Sequence, residues 1–175
     1  MSCTQTLSGI ARDCAPSMGG IVEVYIANAA DVSSVTVKDG KINAIAMAAS
    51  AKFKGYSFAR QAGSLTSTYT IDKANGVTFV QSDLVLPFNR METAKRVEIS
   101  ALAAGELACI VKDANGLYWY LGKDEPVLAS AGDGQTGTAR TDRNGYSITL
   151  QDTSLEMPLE VQTGEGGVDI SAITD

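Results

Sequence analysis

Alternating hydrophobic and polar positions divide most of this chain into short strands separated by turns. Apolar, mostly β-branched residues fill Ile21–Ala27, and two alternating runs, Ser34–Lys38 and Lys41–Met47, flank Asp39-Gly40. An Asp-Gly pair between alternating runs is the strongest short-range signal for a β-hairpin. The pattern therefore predicts one strand followed by a hairpin.

Two more hairpins and a final strand are predicted in the same way. The second hairpin joins Leu65–Ile71 to Val77–Leu86, the third joins Leu107–Lys112 to Leu117–Leu121, and the final strand is Gly145–Gln151. The intervening turns are rich in Asp, Asn and Gly, which accept left-handed backbone conformations. Because the second hairpin alternates over about twenty residues, we expect it to be longer than a domain core needs and to contact neighbouring copies.

One helix is predicted at about 90–104. Asn89 can cap its start, Glu92 can complete a capping box, and Gly105 provides the stop. Small or apolar residues recur at helical spacing and predict the packing face: Ala94, Val97, Ala101 and Ala104. We expect this helix to lie close against an open side of the sheet.

The order of these elements predicts a mainly β protein. Its fold class is an antiparallel β-sandwich or half-barrel with one flanking α-helix and extended N- and C-terminal arms. The β domain spans 21–161, between a polar N-terminal arm (1–20) and an acidic C-terminal arm (162–175). Residues 130–144, rich in Gly, Thr and Asp, are predicted to form a loop.

Composition argues against an enzyme. The 175 residues include no histidine, which excludes Ser-His-Asp and Cys-His catalysis and histidine-ligated zinc. Cys3, Cys14 and Cys109 are too few for a four-cysteine metal site. We therefore predict no catalytic residues, no cofactor and no metal. The sequence leaves open whether Cys3 and Cys14 form a disulfide, although a reducing cytosol favours free thiols.

Charge is distributed unevenly along the chain. The net charge is −1 over residues 1–50, +3 over 51–100 and −8 over 101–175, which gives −6 in total. An acidic protein is poorly suited to bind nucleic acid, which requires Lys and Arg to neutralise phosphates. Opposite charges in the middle and C-terminal parts permit complementary contact between copies, although an acidic surface also simply aids solubility. No apolar run approaches the ~20 residues of a membrane span, so we expect a protein made in the cytoplasm.

Three motifs have ordinary structural explanations. Residues 132–137 match G-x-G-x-x-G, but no helical pattern follows, as dinucleotide binding would require. Tyr118-Trp119-Tyr120 could form a stacking platform, although alternation in a central strand favours packing in the core. Cys109, between Ala108 and Ile110, is predicted to be a buried and unreactive thiol.

The arrangement of arms, hairpins and helix resembles the bacteriophage major tail (tail tube) protein family. That resemblance implies a β-sandwich or half-barrel with a flanking helix, assembled into stacked hexameric rings around a shared inner barrel that conducts DNA. Val77–Leu86 with Leu65–Ile71 would then supply the inner hairpin, and Asn89–Gly105 the flanking helix. Three segments also resemble virion proteins of phages from gut bacteria: Ser2–Gly20, Glu106–Gly122 and Gly132–Gln151.

The expected partners are other copies of the chain and other virion proteins, with DNA only as passing cargo and the virion tail as the location. We expect the arms to lie on adjacent subunits, with acidic tail residues near Lys52, Lys54, Arg60 or Arg90 of a neighbour. The candidate interface residues are Leu7, Ile10, Leu65, Ser67, Tyr69, Ile71, Val77, Phe79, Leu84, Leu86, Val168 and Ile170. The alternatives are a neck, ring, head-decoration or fibre β-domain that acts as a binding module, and an enzyme that works without histidine.

Overall fold

A computed structural model describes residues 7–59 and 62–175. Short strands dominate this part of the chain, and one helix of 12 residues interrupts them. A single 3-10 turn at Ala29–Asp31 separates the first two strands. In chain order the elements are β1 Ile21–Asn28, β2 Val32–Lys38, β3 Lys41–Met47, β4 Lys54–Tyr56, β5 Ser64–Asp72, β6 Val77–Asn89, α1 Thr93–Ala104, β7 Leu107–Asp113, β8 Tyr118–Leu121, β9 Leu128–Gln135, β10 Gly145–Ser154, β11 Leu159–Val161 and α2 Ile170–Ile173.

The strands form two sheets. The larger has seven strands in the order β2-β3-β11-β8-β7-β1-β4, and the smaller has four in the order β5-β6-β10-β9. Neighbouring strands are antiparallel except β3 and β11, which are parallel. The prediction of a mainly β sandwich with a flanking helix is confirmed.

All three predicted hairpins form. In the first, Asp39 and Gly40 take positive φ angles of 54° and 75°, as a two-residue turn of the hairpin type requires. The second, β5–β6, pairs Ser64 with Val85 at its base and Asp72 with Val77 at its tip. The third, β7–β8, pairs Cys109 with Leu121. In each hairpin the turn chemistry and the apolar alternation select the same register.

The main core lies between the two sheets. Leu84 and Leu86 of β6 and Ile148 and Leu150 of β10 face Val24, Cys109, Val111 and Leu121 of the larger sheet. All eight side chains are essentially inaccessible to solvent. Fully burying each aliphatic side chain contributes roughly 1.5–3 kcal/mol, so this layer makes a large contribution to the stability of the sandwich.

A second core covers the opposite face of the larger sheet, and the C-terminal segment forms part of it. Phe53, Ile110 and Tyr120 are buried there together with Val168. The acidic C-terminal arm (162–175), which was expected on an adjacent subunit, therefore packs on the sheet of its own chain. It is held by hydrogen bonds from the Phe53 N–H to the Ile173 carbonyl (2.8 Å) and from the Asp175 N–H to the Phe53 carbonyl (3.0 Å).

The expected ion pairs of the acidic tail also form within one chain. The Lys52 ammonium lies 3.6 Å from a carboxylate oxygen of Asp175, and Lys54 pairs with the same carboxylate. Arg60 lies outside the described residues. The Arg90 guanidinium lies 3.9 Å from Glu92, so it too meets an acidic residue of its own chain.

The helix is shorter than predicted and packs through a different face. Asn89 stays in β6 opposite Gly145, so it does not cap α1, which begins at Thr93 without a side-chain cap. The predicted stripe Ala94, Val97, Ala101 and Ala104 is exposed. The helix instead buries Leu102 and half-buries Lys95 and Ile99. Ile99 and Leu102 bury more apolar surface than alanines, and the lysine covers the rim with its aliphatic stem.

The glycine-rich segment forms a strand rather than a loop over its first half. β9 pairs with β10 from Gln135 opposite Gly145 to Leu128 opposite Gln151. After Gln135 the chain turns back into β10, so in this described segment no helix follows the glycines and they have no dinucleotide-binding geometry. Glycine weakens strand propensity, and β9 exists because β10 supplies its hydrogen-bonding partner.

Candidate assembly surface

The tip of hairpin β5–β6 projects beyond the sandwich. β10 pairs with β6 only from Val80 to Asn89, so beyond Val80 the two strands of the hairpin have only each other. Three residue pairs extend past that point, a length of about 10 Å at ~3.4 Å per residue. Ile71 and Val77 on this part are 58% and 41% exposed, and Tyr69 at its base, opposite Val80, is 47% exposed. The hairpin therefore carries apolar side chains into solvent.

The turn at the hairpin tip is held together by one carboxylate. Asp72 accepts hydrogen bonds from the backbone N–H groups of Ala74 and Asn75 and from the side-chain amide of Asn75. The Asn75 side chain is the main cause that lowers the pKa of Asp72 below its usual value. The tip is a defined turn that holds Ile71 and Val77 in position.

Both outer strands of the smaller sheet have an open edge. β5 and β9 are the outermost strands in the order β5-β6-β10-β9. Neither contains the Lys, Arg or Pro with which many proteins block edge pairing. Because neighbouring strands of this sheet are antiparallel, β5 and β9 run in opposite directions. β9 of one copy beside β5 of another would continue the antiparallel alternation.

The face of the smaller sheet turned away from the core is largely polar, although Phe79, Val85 and Pro87 of β6 and Leu128 of β9 also belong to it. Thr66, Thr68, Gln81, Asp83 and Gln151 alternate with core residues and belong to this face. The Gln151 side chain donates a hydrogen bond of 2.9 Å to Asp83 across the sheet. None of the four strands contains Lys or Arg. This face is wet and weakly acidic.

A groove opens along the core-facing side of β5, where the sandwich is not closed by a helix. It has a volume of about 420 Å³ and is lined by Met18, Leu65, Trp119, Met157 and Pro158, among others. Asp113 also lines it and accepts a hydrogen bond of 3.2 Å from the Trp119 indole N–H. Burial opposes ionisation of this carboxyl, but the hydrogen bonds from Leu117, Trp119 and Asn115 outweigh it and lower the pKa of Asp113.

The N-terminal segment leaves the domain at the rim of this groove. The Met18 N–H donates to the Asn115 side chain (2.8 Å), and the Asn115 amide donates to the Met18 carbonyl (3.1 Å). Before Met18, residues 7–17 form no helix or strand and are exposed. Leu7 and Ile10 are 91% and 102% exposed. The Cys3–Cys14 pairing lies outside the described residues, and Cys14 itself is exposed.

The predicted interface residues fall into three groups. Leu84, Leu86 and Val168 are buried in their own chain and so belong to the two cores, because β6 alternation and the folded-back tail carry them inward. Leu65, Ser67, Phe79 and Ile170 are partly buried. The remaining five are exposed and are brought to the hairpin tip or the N-terminal segment: Leu7, Ile10, Tyr69, Ile71 and Val77.

Several ionisable and aromatic groups have structural roles in the two cores. Among the described residues no group of three Cys, Asp or Glu is placed to hold a metal ion. Burial raises the pKa of the Cys109 thiol, which suits an unreactive core residue. Trp119 packs against the first core, whereas Tyr118 and Tyr120 belong to the second, so the aromatic run alternates as predicted.

Sequence reasoning missed the open edge of β9 and the groove beside β5. The signal for β9 was weak because its residues are mostly small and exposed. The groove combines residues far apart in the chain, from Met18 to Pro158, and no local pattern connects them.

Comparison with known protein families, with curated proteins and with solved structures finds no match to this chain. Within residues 7–59 and 62–175, neither helix has the length and apolar character needed to cross a bilayer. The fold and its exposed features define the class: a mainly β sandwich with a projecting hairpin and two open sheet edges.

Proposed function

We propose that this protein is a structural subunit of a phage virion, a tail tube protein whose copies assemble into stacked hexameric rings around a DNA-conducting channel. The observation that carries the proposal is the smaller sheet, with open edges at β5 and β9 and a hairpin that projects beyond the fold. Open edges are templates for pairing with another chain. Heterologous contacts of this kind close into rings when the rotation between copies permits.

The directions of the two edges suit such a ring. β9 of one copy meets β5 of the next in antiparallel orientation, so six copies would continue one alternating sheet into a closed barrel. Closure would remove both edges at once. It would also bring Tyr69, Ile71 and Val77 of the hairpin against neighbouring copies, where their exposed apolar surface could be buried.

The chemistry of the outward face suits a channel for DNA. In the ring this face, with Thr66, Gln81, Asp83 and Gln151, would line the lumen. Its carboxylates repel phosphate and its strands offer no Lys or Arg, so DNA would meet a hydrated wall without adhering. A head-decoration or fibre domain does not conduct DNA, so it would not need a closed barrel lined by such a face.

The test is the oligomeric state of the full chain, measured by mass photometry and negative-stain electron microscopy over a range of concentrations. We expect rings or tubes from the natural sequence. Ile71→Glu places a charge on the projecting hairpin and should leave a folded monomer, since exposed sites change stability by only about 0.5 kcal/mol. Val37→Glu is the matched control, because Val37 is a β-branched, 41% exposed residue on the other sheet.

Each result is decisive. A natural protein that stays monomeric or trimeric at all concentrations contradicts the tube and supports a binding module. If the Ile71→Glu protein assembles at the same concentration as the natural protein, the hairpin contact is ruled out. Equal thermal unfolding of both variants is required, so that a loss of assembly is not a loss of folding.

A further inference from the structure

The groove beside β5 is an uncovered part of the main core. At the other edge of the smaller sheet, α1 lies over β9 and β10, and Leu102 of the helix closes the sandwich there. On the β5 side, Leu65 and Trp119 are only partly buried and Met157 is 38% exposed. These three side chains line a space of about 420 Å³. Apolar surface of this kind gains free energy when another apolar group displaces its water.

The N-terminal segment has the complementary property. Leu7 and Ile10 are the two most exposed large apolar side chains of the described residues. The segment has no regular structure, so it can adapt its backbone to a receiving surface. Its C-terminal end adjoins the groove, where Met18 and Asn115 exchange two hydrogen bonds. Its apolar side chains, Leu7 and Ile10, nevertheless point into solvent.

We propose that the segment formed by residues 7–17 of one copy docks into the β5 groove of a second copy, with Leu7 and Ile10 seated against Leu65, Trp119 and Met157. The proposal rests on the proposed function, since it names one contact of that assembly. A second copy is the occupant because, within residues 7–59 and 62–175, each chain carries both a groove that no side chain fills and an apolar segment that packs against no other element. If each copy inserts its segment into the groove of another copy, every groove is filled and every segment is docked.

Charge supports the same pairing. Asp113 is the one ionisable residue that lines the groove, and its hydrogen bonds favour the ionised form. The segment carries a cation, Arg12, two residues after Ile10, and an anion, Asp13, so it is neutral overall and only its arginine complements Asp113. With Ile10 in the groove, Arg12 lies within reach of the Asp113 carboxylate. This ion pair would orient the segment, while the two apolar anchors supply most of the affinity.

Trp119 provides a direct readout. It is the only tryptophan of the chain and it lines the groove, so its emission reports whether the groove is filled. The experiment records tryptophan fluorescence of the full chain over a concentration series, with oligomeric state measured in parallel by mass photometry. We expect a blue shift that follows assembly. The double variant Leu7→Ser with Ile10→Ser should lose this shift.

The matched control is Val37→Ser with Val97→Ser. Both residues are exposed, at 41% and 55%, and neither lines the groove. This control should keep the blue shift of the natural protein, because it removes two exposed apolar side chains elsewhere. Its unfolding midpoint should also match that of the Leu7→Ser with Ile10→Ser protein.

Four results would overturn the proposal. Assembly of the natural protein without a blue shift would refute the groove contact while the proposed function stands. A blue shift retained in the Leu7→Ser with Ile10→Ser protein would mean that another group covers Trp119. Blue emission of the monomer, independent of concentration, would show that the segment fills its own groove. A natural protein that never assembles would refute both this contact and the proposed function.

Discussion

The C-terminal segment offers the sharpest test of the fold, because the structure makes it part of a core. Removing residues 164–175 takes away Val168, which is 6% exposed, and uncovers Phe53, which is fully buried. We therefore expect the truncated protein to be much less stable than the full chain. A mobile arm would leave stability unchanged.

The magnitude follows from the buried side chains. Loss of one buried aliphatic side chain such as Val168 costs roughly 1.5–3 kcal/mol. The half-buried Ile170 and Ile173 and the hydrogen bonds between Phe53 and the tail add to this loss. The total, at least about 3 kcal/mol, is a large part of the ~5–15 kcal/mol by which domains are usually stable. Phe53→Ala, which leaves the tail in place, should cost about 3–5 kcal/mol.

Urea denaturation followed by circular dichroism measures both effects. Truncation should lower the free energy of unfolding, and it should also lower the slope with urea, because less surface is buried in the folded state. Ser171→Ala is a mild control on the exposed side of the same segment. An unchanged midpoint and slope for the truncated protein would refute the second core.

Two further predictions concern single residues. Ala101→Leu should be tolerated, because Ala101 is exposed on α1. We expect the free energy of unfolding to change by no more than about 0.5 kcal/mol. A loss above about 1 kcal/mol would mean that the alanine face of the helix is packed. Asp152→Asn should stabilise the protein at pH 7. Burial, aided by Asp124 and Glu125, raises the pKa of Asp152, so the folded state holds this proton to higher pH than the unfolded chain. Stability is then lost as the pH rises through the raised value. Asparagine carries no charge, so the variant avoids the free-energy cost of ionising a buried carboxyl. Its side-chain oxygen can still accept the hydrogen bond from the Gly122 N–H (2.9 Å). The gain should vanish near pH 3 in thermal melts, and a gain that is independent of pH would refute this explanation.

The candidate surface was only partly predictable from the chain. Tyr69, Ile71 and Val77 were identified because the alternation of the second hairpin continues beyond the length that a core needs, and the structure places all three in solvent. Leu84 and Leu86 belong to the same hairpin, yet they are buried in their own chain. Periodicity assigns a residue to one side of a strand. It does not say where along the strand the opposing sheet ends.

Local chemistry determined the hairpins, and tertiary contacts decided what covers them. Asp39-Gly40 specifies its turn through two residues with positive φ, a preference that needs no distant partner. β9 and the packing face of α1 depend on distant partners. β9 has weak strand propensity and forms because β10 pairs with it, while α1 turns Ile99 and Leu102 inward because the core beneath it accepts their larger apolar area. The tail follows the same rule: its polar composition predicts an arm, but Val168 fills a site that Phe53, Ile110 and Tyr120 create only once the sheet has formed.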